Sequence, residues 1–180
     1  DAEADHRVAL VPDTYTNYVY PEVGRAAVAV LEAAGVHVDV REDCPPSGRA
    51  AYSLGFLDRA RDRAERTVDA LAPAVEDGWA VVSVEPADAV MYQDEYLDLL
   101  EGEAVERVGD GSYGFSEYLD VHRLDEAVDF EAPDETLAYH GHCNQKALHA
   151  DHHAVGVLRR AGYAVDPLDS GCCGMAGSFG

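Results

Sequence analysis

The chain repeats part of itself. At an offset of 127 residues, AVAVLEAAGVHVD (27–39) lies over AVGVLRRAGYAVD (154–166), so that Val28 meets Val155, Val30 meets Val157, Leu31 meets Leu158, Gly35 meets Gly162, Val38 meets Val165 and Asp39 meets Asp166. Each copy reads as an amphipathic helix stopped by a glycine and followed by a strand, and an apolar run precedes each helix. Strand, helix, strand is a parallel pairing unit, because a strand that returns after a crossover helix lies beside the first in the same direction. Two such units in one chain leave few other architectures open.

The remaining segments fit that frame. HRVALVP (6–12) is expected to be a strand, PEVGRAAVAVLEAAG (21–35) a helix opened near a proline, and VHVDV (36–40) a strand. Residues 53–78 read as one long helix with Phe56, Ala60, Ala64, Val68 and Leu71 on a single face, and WAVVSVEP (79–86) as a central strand. Residues 94–128 are polar enough for an outer layer of short helices and turns; then 136–140 is a strand, 145–162 a helix and 163–168 a strand. The expected fold class is α/β, with two pseudo-symmetric, Rossmann-like βαβ lobes and parallel strands, produced by internal duplication. The first lobe with its outer helices takes residues 1–128, and the second takes 129–180.

Composition excludes several functions. A length of 180 residues with 47% hydrophobic content suffices for a full core, and no apolar run approaches the roughly 20 residues needed to cross a bilayer. The N-terminus lacks a basic-then-apolar signal, although a start at Asp1 leaves room for residues before it, and a cytoplasmic location is expected. The formal charge of -22 is spread along the chain and repels nucleic-acid phosphate and anionic lipid. With Lys146 as its only lysine, such a surface suits concentrated salt, where counter-ions screen self-repulsion, and points to a halophile. Four cysteines at irregular spacing do not form a disulfide framework.

The two copies differ in sulfur. Under the 127-residue offset, Cys172, Cys173 and Gly174 fall on Pro45, Pro46 and Ser47, and Cys143 falls on Thr16. Cys44, one position before the equivalent pair, reads as buried packing. A single site in the second lobe is therefore expected, with Cys143, Cys172 and Cys173 as ligands at the carboxyl ends of strands, where open α/β sheets hold their ligands. A helix starting near Asn144 would aim its positive end at the thiolates, and Gly171, Gly174 and Gly177 would let the chain curl round a bulky centre. Three soft ligands are an incomplete set. His140, His142, a residue beyond Gly180 or a partner could supply the fourth.

Other residues carry weaker signals. His149, His152 and His153 have helical spacing that could chelate zinc, but a solvated helix face is the expected reading. Arg49 is expected in a surface or cap-region salt bridge, and Tyr15, Tyr18 and Tyr20 in packing. A thiol enzyme built on Cys172 and Cys173 would need an oriented base, and His142 is only a possible one. The first strand runs into PDTYTNY without a G-x-G-x-x-G turn, so no dinucleotide site is expected.

The motifs HGHCNQKAL and DSGCCGMAGSFG, with PDTYTNYVYPEVGRAAVAVLEAAGVHVDV upstream, resemble the cysteine-rich CCG domain family. That family includes the second subunit of heterodisulfide reductase and the iron–sulfur parts of glycolate oxidase, anaerobic glycerol-3-phosphate dehydrogenase and FAD-linked D-lactate-type dehydrogenases. The resemblance implies an iron–sulfur electron-transfer domain, with 4Fe–4S as one cluster type it admits, held by Cys143, Cys172 and Cys173 with Gly174 as the motif glycine. A structural or docking module whose cysteines hold zinc or no ligand is the alternative. It further implies partners: a flavin-containing dehydrogenase that oxidises a 2-hydroxy acid or glycerol 3-phosphate, a ferredoxin-like iron–sulfur domain, and a membrane quinone system reached from the cytoplasmic face. The chain departs from the family pattern at Pro45, Pro46 and Ser47, at Asn144 where many relatives have histidine, and at its end, where the family's later cysteine would lie beyond Gly180.

Overall fold

The computed structural model describes residues 6–171, 173 and 174. Its centre is a four-stranded parallel sheet in the order β2-β1-β3-β4, formed by β1 (Arg7–Val11), β2 (His37–Val40), β3 (Ala80–Ser83) and β4 (Ser112–Gly114). A second parallel sheet pairs β5 (Thr136–Tyr139) with β6 (Ala164–Pro167). The expected α/β class with parallel strands is what the chain forms.

Side-chain alternation on β1 and β3 splits the core into two layers. On one face, Val11 and Val81 pack against Ala60, Ala64, Val68 and Leu71 of α4 (Leu57–Glu76), whose three- and four-residue spacing makes the apolar stripe. On the other, Val8, Leu10 and Val82 pack against Leu31 of α2 (Pro21–Ala33) and Tyr118 and Leu119 of α8 (Phe115–Val121). Helices thus cover both faces, and β3 is a buried inner strand as its apolar run requires.

Between β3 and β4 the chain builds an outer layer. There α5 (Pro86–Val90) passes through a π-helical turn (Met91–Glu95) into α6 (Tyr96–Leu99), followed by α7 (Glu103–Asp110). The π turn widens the helix by one residue per turn and drives Met91 and Tyr92 into the core beside Tyr96. β4 lies within 94–128, where helices and turns alone are expected. Its three residues, SYG, carry too little apolar alternation to announce a strand.

Two helices are shorter than the periodicity suggests. The helix expected over 53–78 is α4, which starts only at Leu57: Ser53 ends a separate short helix, α3 (Arg49–Ser53), Gly55 at φ +76° stands between the two, and Phe56 precedes α4 and is exposed instead of extending its buried face. The helix expected over 145–162 is two: α9 (Cys143–Ala147) and α10 (Asp151–Arg160), separated where His149 adopts φ +55°. PDTYTNY contains α1 (Thr14–Tyr18), capped by Asp13, whose carboxylate accepts from the N–H groups of Tyr15 at 2.8 Å and Thr16 at 3.1 Å.

Candidate functional site

The pairing registers define the repeat more closely than the sequence does. β2 and β6 differ by 127 positions, and α2 and α10 end at equivalent residues, each followed by a left-handed glycine, Gly35 or Gly162. Arg7 pairs with His37, thirty positions on, whereas Thr136 pairs with Ala164, twenty-eight positions on. Two residues are therefore missing from the second crossover, and before that point the offset is 129. Thr14–Tyr18 then overlies Cys143–Ala147 end to end. Cys143 corresponds to Thr14, not to Thr16 as the rigid offset implies, and His142 corresponds to the cap residue Asp13.

Both cap positions do the same work. His142 Nδ1 accepts from the Asn144 N–H at 3.3 Å, and its Nε2 lies 3.6 Å from Glu85, the residue that caps α5. The Nδ1 of His142 is thus engaged by the chain itself, and His140 is half-buried just beyond β5. Cys143 opens α9 with its thiol exposed, 3.8 Å from Asn144 Oδ1. Cys173 is also exposed, beyond the end of β6, and Gly174 follows at φ +71°, a conformation that favours glycine. Cys172 lies outside the described residues, as does the segment 175–180 that includes Gly177.

The loop after β6 is held against α9. Lys146 Nζ donates to the Ser170 carbonyl at 2.8 Å, and the Leu168 N–H donates to the Tyr139 carbonyl at 2.8 Å. Gly141 lets this region close: a Cβ there would stand 2.9 Å from Asp151 Oδ2 and 3.1 Å from Lys146 Cε. Lys146 is a site residue that the motifs do not single out, although its position one helical turn after Cys143 is a usable signal. The break at His149 removes the long helix from behind Cys143, so a full helix dipole does not act there; α9 has five residues.

What the described donors offer is soft and accessible. Two free thiols at the carboxyl ends of two paired parallel strands suit a thiophilic centre, either iron–sulfur or zinc. Among the described residues, no group of three ligand atoms within 4.8 Å of one another includes a cysteine; the one such group is Asp120, His152 and His153.

The first lobe fills the equivalent place with a polar network. Ser47, the counterpart of Gly174, is buried and donates to Asp88, while the Ser47 carbonyl accepts from Tyr96 Oη at 2.7 Å. Burial pushes the Asp88 carboxyl up to about 6 against the lowering effect of the Ser47 hydrogen bond. Arg49 pairs with Glu95 and lies 5.4 Å over the Tyr52 ring, a half-buried version of the expected salt bridge. Cys44 packs beside the core, and burial pushes its thiol up to about 11, which keeps it inert. The tyrosines before α2 do not pack as expected: Tyr15, Tyr18 and Tyr20 are 68%, 80% and 55% exposed.

The expected solvated histidine face is only partly so. His153 is half-buried and its Nδ1 lies 2.7 Å from Asp120 on α8, whose other oxygen pairs with Arg160. Burial raises the Asp120 carboxyl, but the hydrogen bonds from His153 and Arg160 outweigh it and hold the group below its ordinary range. Arg160 also reaches the buried Asp125, so these residues fasten α10 to the first lobe.

The chain is similar over nearly its whole length to parts of larger curated proteins. It is 29% identical over 179 residues to D-2-hydroxyglutarate dehydrogenase of Escherichia coli (strain K12), covering 96% of this chain and 17% of that protein. It is 26% identical over 191 residues to one of the subunits of anaerobic glycerol-3-phosphate dehydrogenase from the same organism, covering 99% of this chain and 46% of that one. Against the glycolate oxidase iron-sulfur subunit, also of Escherichia coli, identity is 26% over 181 residues, covering 96% of this chain and 44% of the subunit. The chain thus spans between about a sixth and just under half of these relatives. No family model and no solved structure matches it. Across these comparisons the chain is similar to segments of oxidoreductases, one of them an iron–sulfur subunit by name, and this supports the cysteine-rich CCG resemblance in broad terms.

Proposed function

We propose that the chain is the cysteine-rich part of an iron–sulfur electron-transfer module serving a flavin-linked dehydrogenase. The observation that supports this most is the end-to-end similarity to the glycolate oxidase iron-sulfur subunit, joined to a pair of exposed thiols at the carboxyl ends of β5 and β6. Cys143, Cys172 and Cys173 are the ligands in this reading, with Gly174 supplying the turn beside them. The cluster, when bound, supplies a one-electron carrier.

The chain's own residues would then have positioning roles. Lys146 holds the loop after β6 against α9 through Ser170, and His142 holds the start of α9 through its cap and its contact with Glu85. Oxidation of a 2-hydroxy acid or of glycerol 3-phosphate takes place at FAD in another domain or partner, and a quinone is the proposed final acceptor. The first lobe (1–128) serves as scaffold and the second (129–180) carries the site.

Anaerobic reconstitution of the complete gene product, followed by iron and acid-labile sulfide analysis, tests the assignment. Cys143→Ala and Cys172→Ala should each lose the centre while Cys44→Ala keeps it. Stoichiometric zinc without iron, or a centre indifferent to Cys143, would overturn it.

A further inference from the structure

We propose that Asp120, His152 and His153 form a binding site for one divalent transition-metal ion of the zinc type, distinct from the cysteines and seated between α8 and α10. One ligand atom from each of the three residues falls within 4.8 Å of the others. Two imidazoles and a carboxylate are a donor set that zinc and its neighbours accept, and water can complete the coordination.

The hydrogen bonds around the rings carry this beyond mere proximity. His153 Nδ1 lies 2.7 Å from the Asp120 carboxylate, and His152 Nδ1 lies 2.7 Å from the His149 carbonyl. The His149 carbonyl takes the Nδ1 proton of His152 and leaves its Nε2 as a lone pair, as backbone carbonyls ordinarily hold metal-binding histidines, whereas His153 would ligate through the Nδ1 that faces Asp120, the ion replacing the proton shared by that pair. The His149 carbonyl reaches this position because His149 sits at φ +55°, a left-handed conformation that costs a non-glycine residue free energy. The two rings stand 4.0 Å apart at 36° to each other.

A cavity of about 380 Å³ lies beside the two rings, lined by His149, His152 and His153 together with Asp110 and Glu117, whose carboxylates add negative charge to offset the guanidinium already paired with Asp120. The ion would join α8 to α10 on the side of Asp120 away from Arg160.

Equilibrium dialysis of the 180-residue chain against zinc isolates this site once the thiols are removed by Cys44→Ser, Cys143→Ser, Cys172→Ser and Cys173→Ser. That variant should retain about one zinc ion and melt at a higher temperature with zinc present. His152→Gln, at an exposed ring that folding does not need, and His153→Gln should each weaken binding at least tenfold. His149→Gly, which removes the imidazole but keeps the carbonyl and the left-handed backbone, should leave it intact. Absence of bound zinc in the thiol-free chain, binding unaffected by both glutamine substitutions, or loss of binding in His149→Gly would overturn the assignment. Since the thiols are absent, none of these outcomes bears on the iron–sulfur reading.

Discussion

β1 and β5 begin equivalent crossovers, yet they live in different surroundings. β1 has a strand on each side, with β2 at one edge and β3 at the other, and Val8, Ala9 and Leu10 are at most 1% exposed. β5 has β6 on one side only among the described residues, and its side chains alternate between exposed and half-buried. The lobe without the paired cysteines carries the molecule's core, and the lobe with them is a thin sheet leaning on α10. The buried core and the paired cysteines are therefore divided between two copies of one motif. Under the proposed function, a site that admits a cofactor and contacts partners need not share its residues with the packing that keeps the fold.

The largest effect expected from this division is in side-chain truncation at matched positions. Leu31 is fully buried between β1 and α8, while its counterpart Leu158 is half-buried beside a cavity. Leu31→Ala should lower stability by about 3–4 kcal/mol, and Leu158→Ala by about 1 kcal/mol, in urea unfolding followed by circular dichroism. Equal losses at the two positions would break the comparison.

A smaller effect concerns pH. Asp88 holds its proton up to about 6 in the folded chain, above the ordinary carboxyl value, so the folded state binds the proton more tightly than the unfolded state. Its contribution to stability is accordingly full at low pH and declines as pH rises from about 4 through 6. Asp88→Asn, which can still accept from Ser47, should stabilise the protein by about 1–3 kcal/mol at pH 7.5, with the advantage vanishing near pH 4. An advantage independent of pH would remove the polar network as the distinguishing trait of the first lobe.

The smallest effect reverses the direction of the comparison. Gly35 and Gly162 both end their helices with positive φ, but a Cβ at Gly35 meets nothing within 4 Å, whereas one at Gly162 comes within 3.2 Å of Ala132 Cβ. Gly35→Ala should cost about 1 kcal/mol from backbone conformation alone, and Gly162→Ala somewhat more, read as a difference in melting temperature. Here the thinner lobe should be the more sensitive.

How much of this is legible in the sequence follows from which signals are local. The repeat can be read because a helix stripe, a stopping glycine and a strand form one contiguous pattern, and β6 falls at the residues that β2 implies. The two-residue difference in the crossovers cannot, since a fixed offset does not register a shortening in a segment with little sequence identity. That shortening is what moves the counterpart of Cys143 from Thr16 to Thr14. The break at His149 is hidden because a histidine takes the left-handed place that a glycine usually marks, closing α9 through the bond from the Ala150 N–H to the Gln145 carbonyl, within an otherwise helical run. Asp120 stands thirty-three positions before His153, so no spacing rule joins them. Cys44 is legible as packing, because its environment follows from the strand it succeeds.

The sequence contains a single lysine, and its ammonium is the donor to the Ser170 carbonyl, so reagents and enzymes that acylate side-chain amines find one internal address in this chain. Acylation there would neutralise the ammonium and remove the donor that ties the loop after β6 to the helix bearing Cys143. A label placed on this amine would therefore alter the spacing it was meant to report, and a distance measurement between the two cysteine-bearing segments is better made from dyes attached elsewhere.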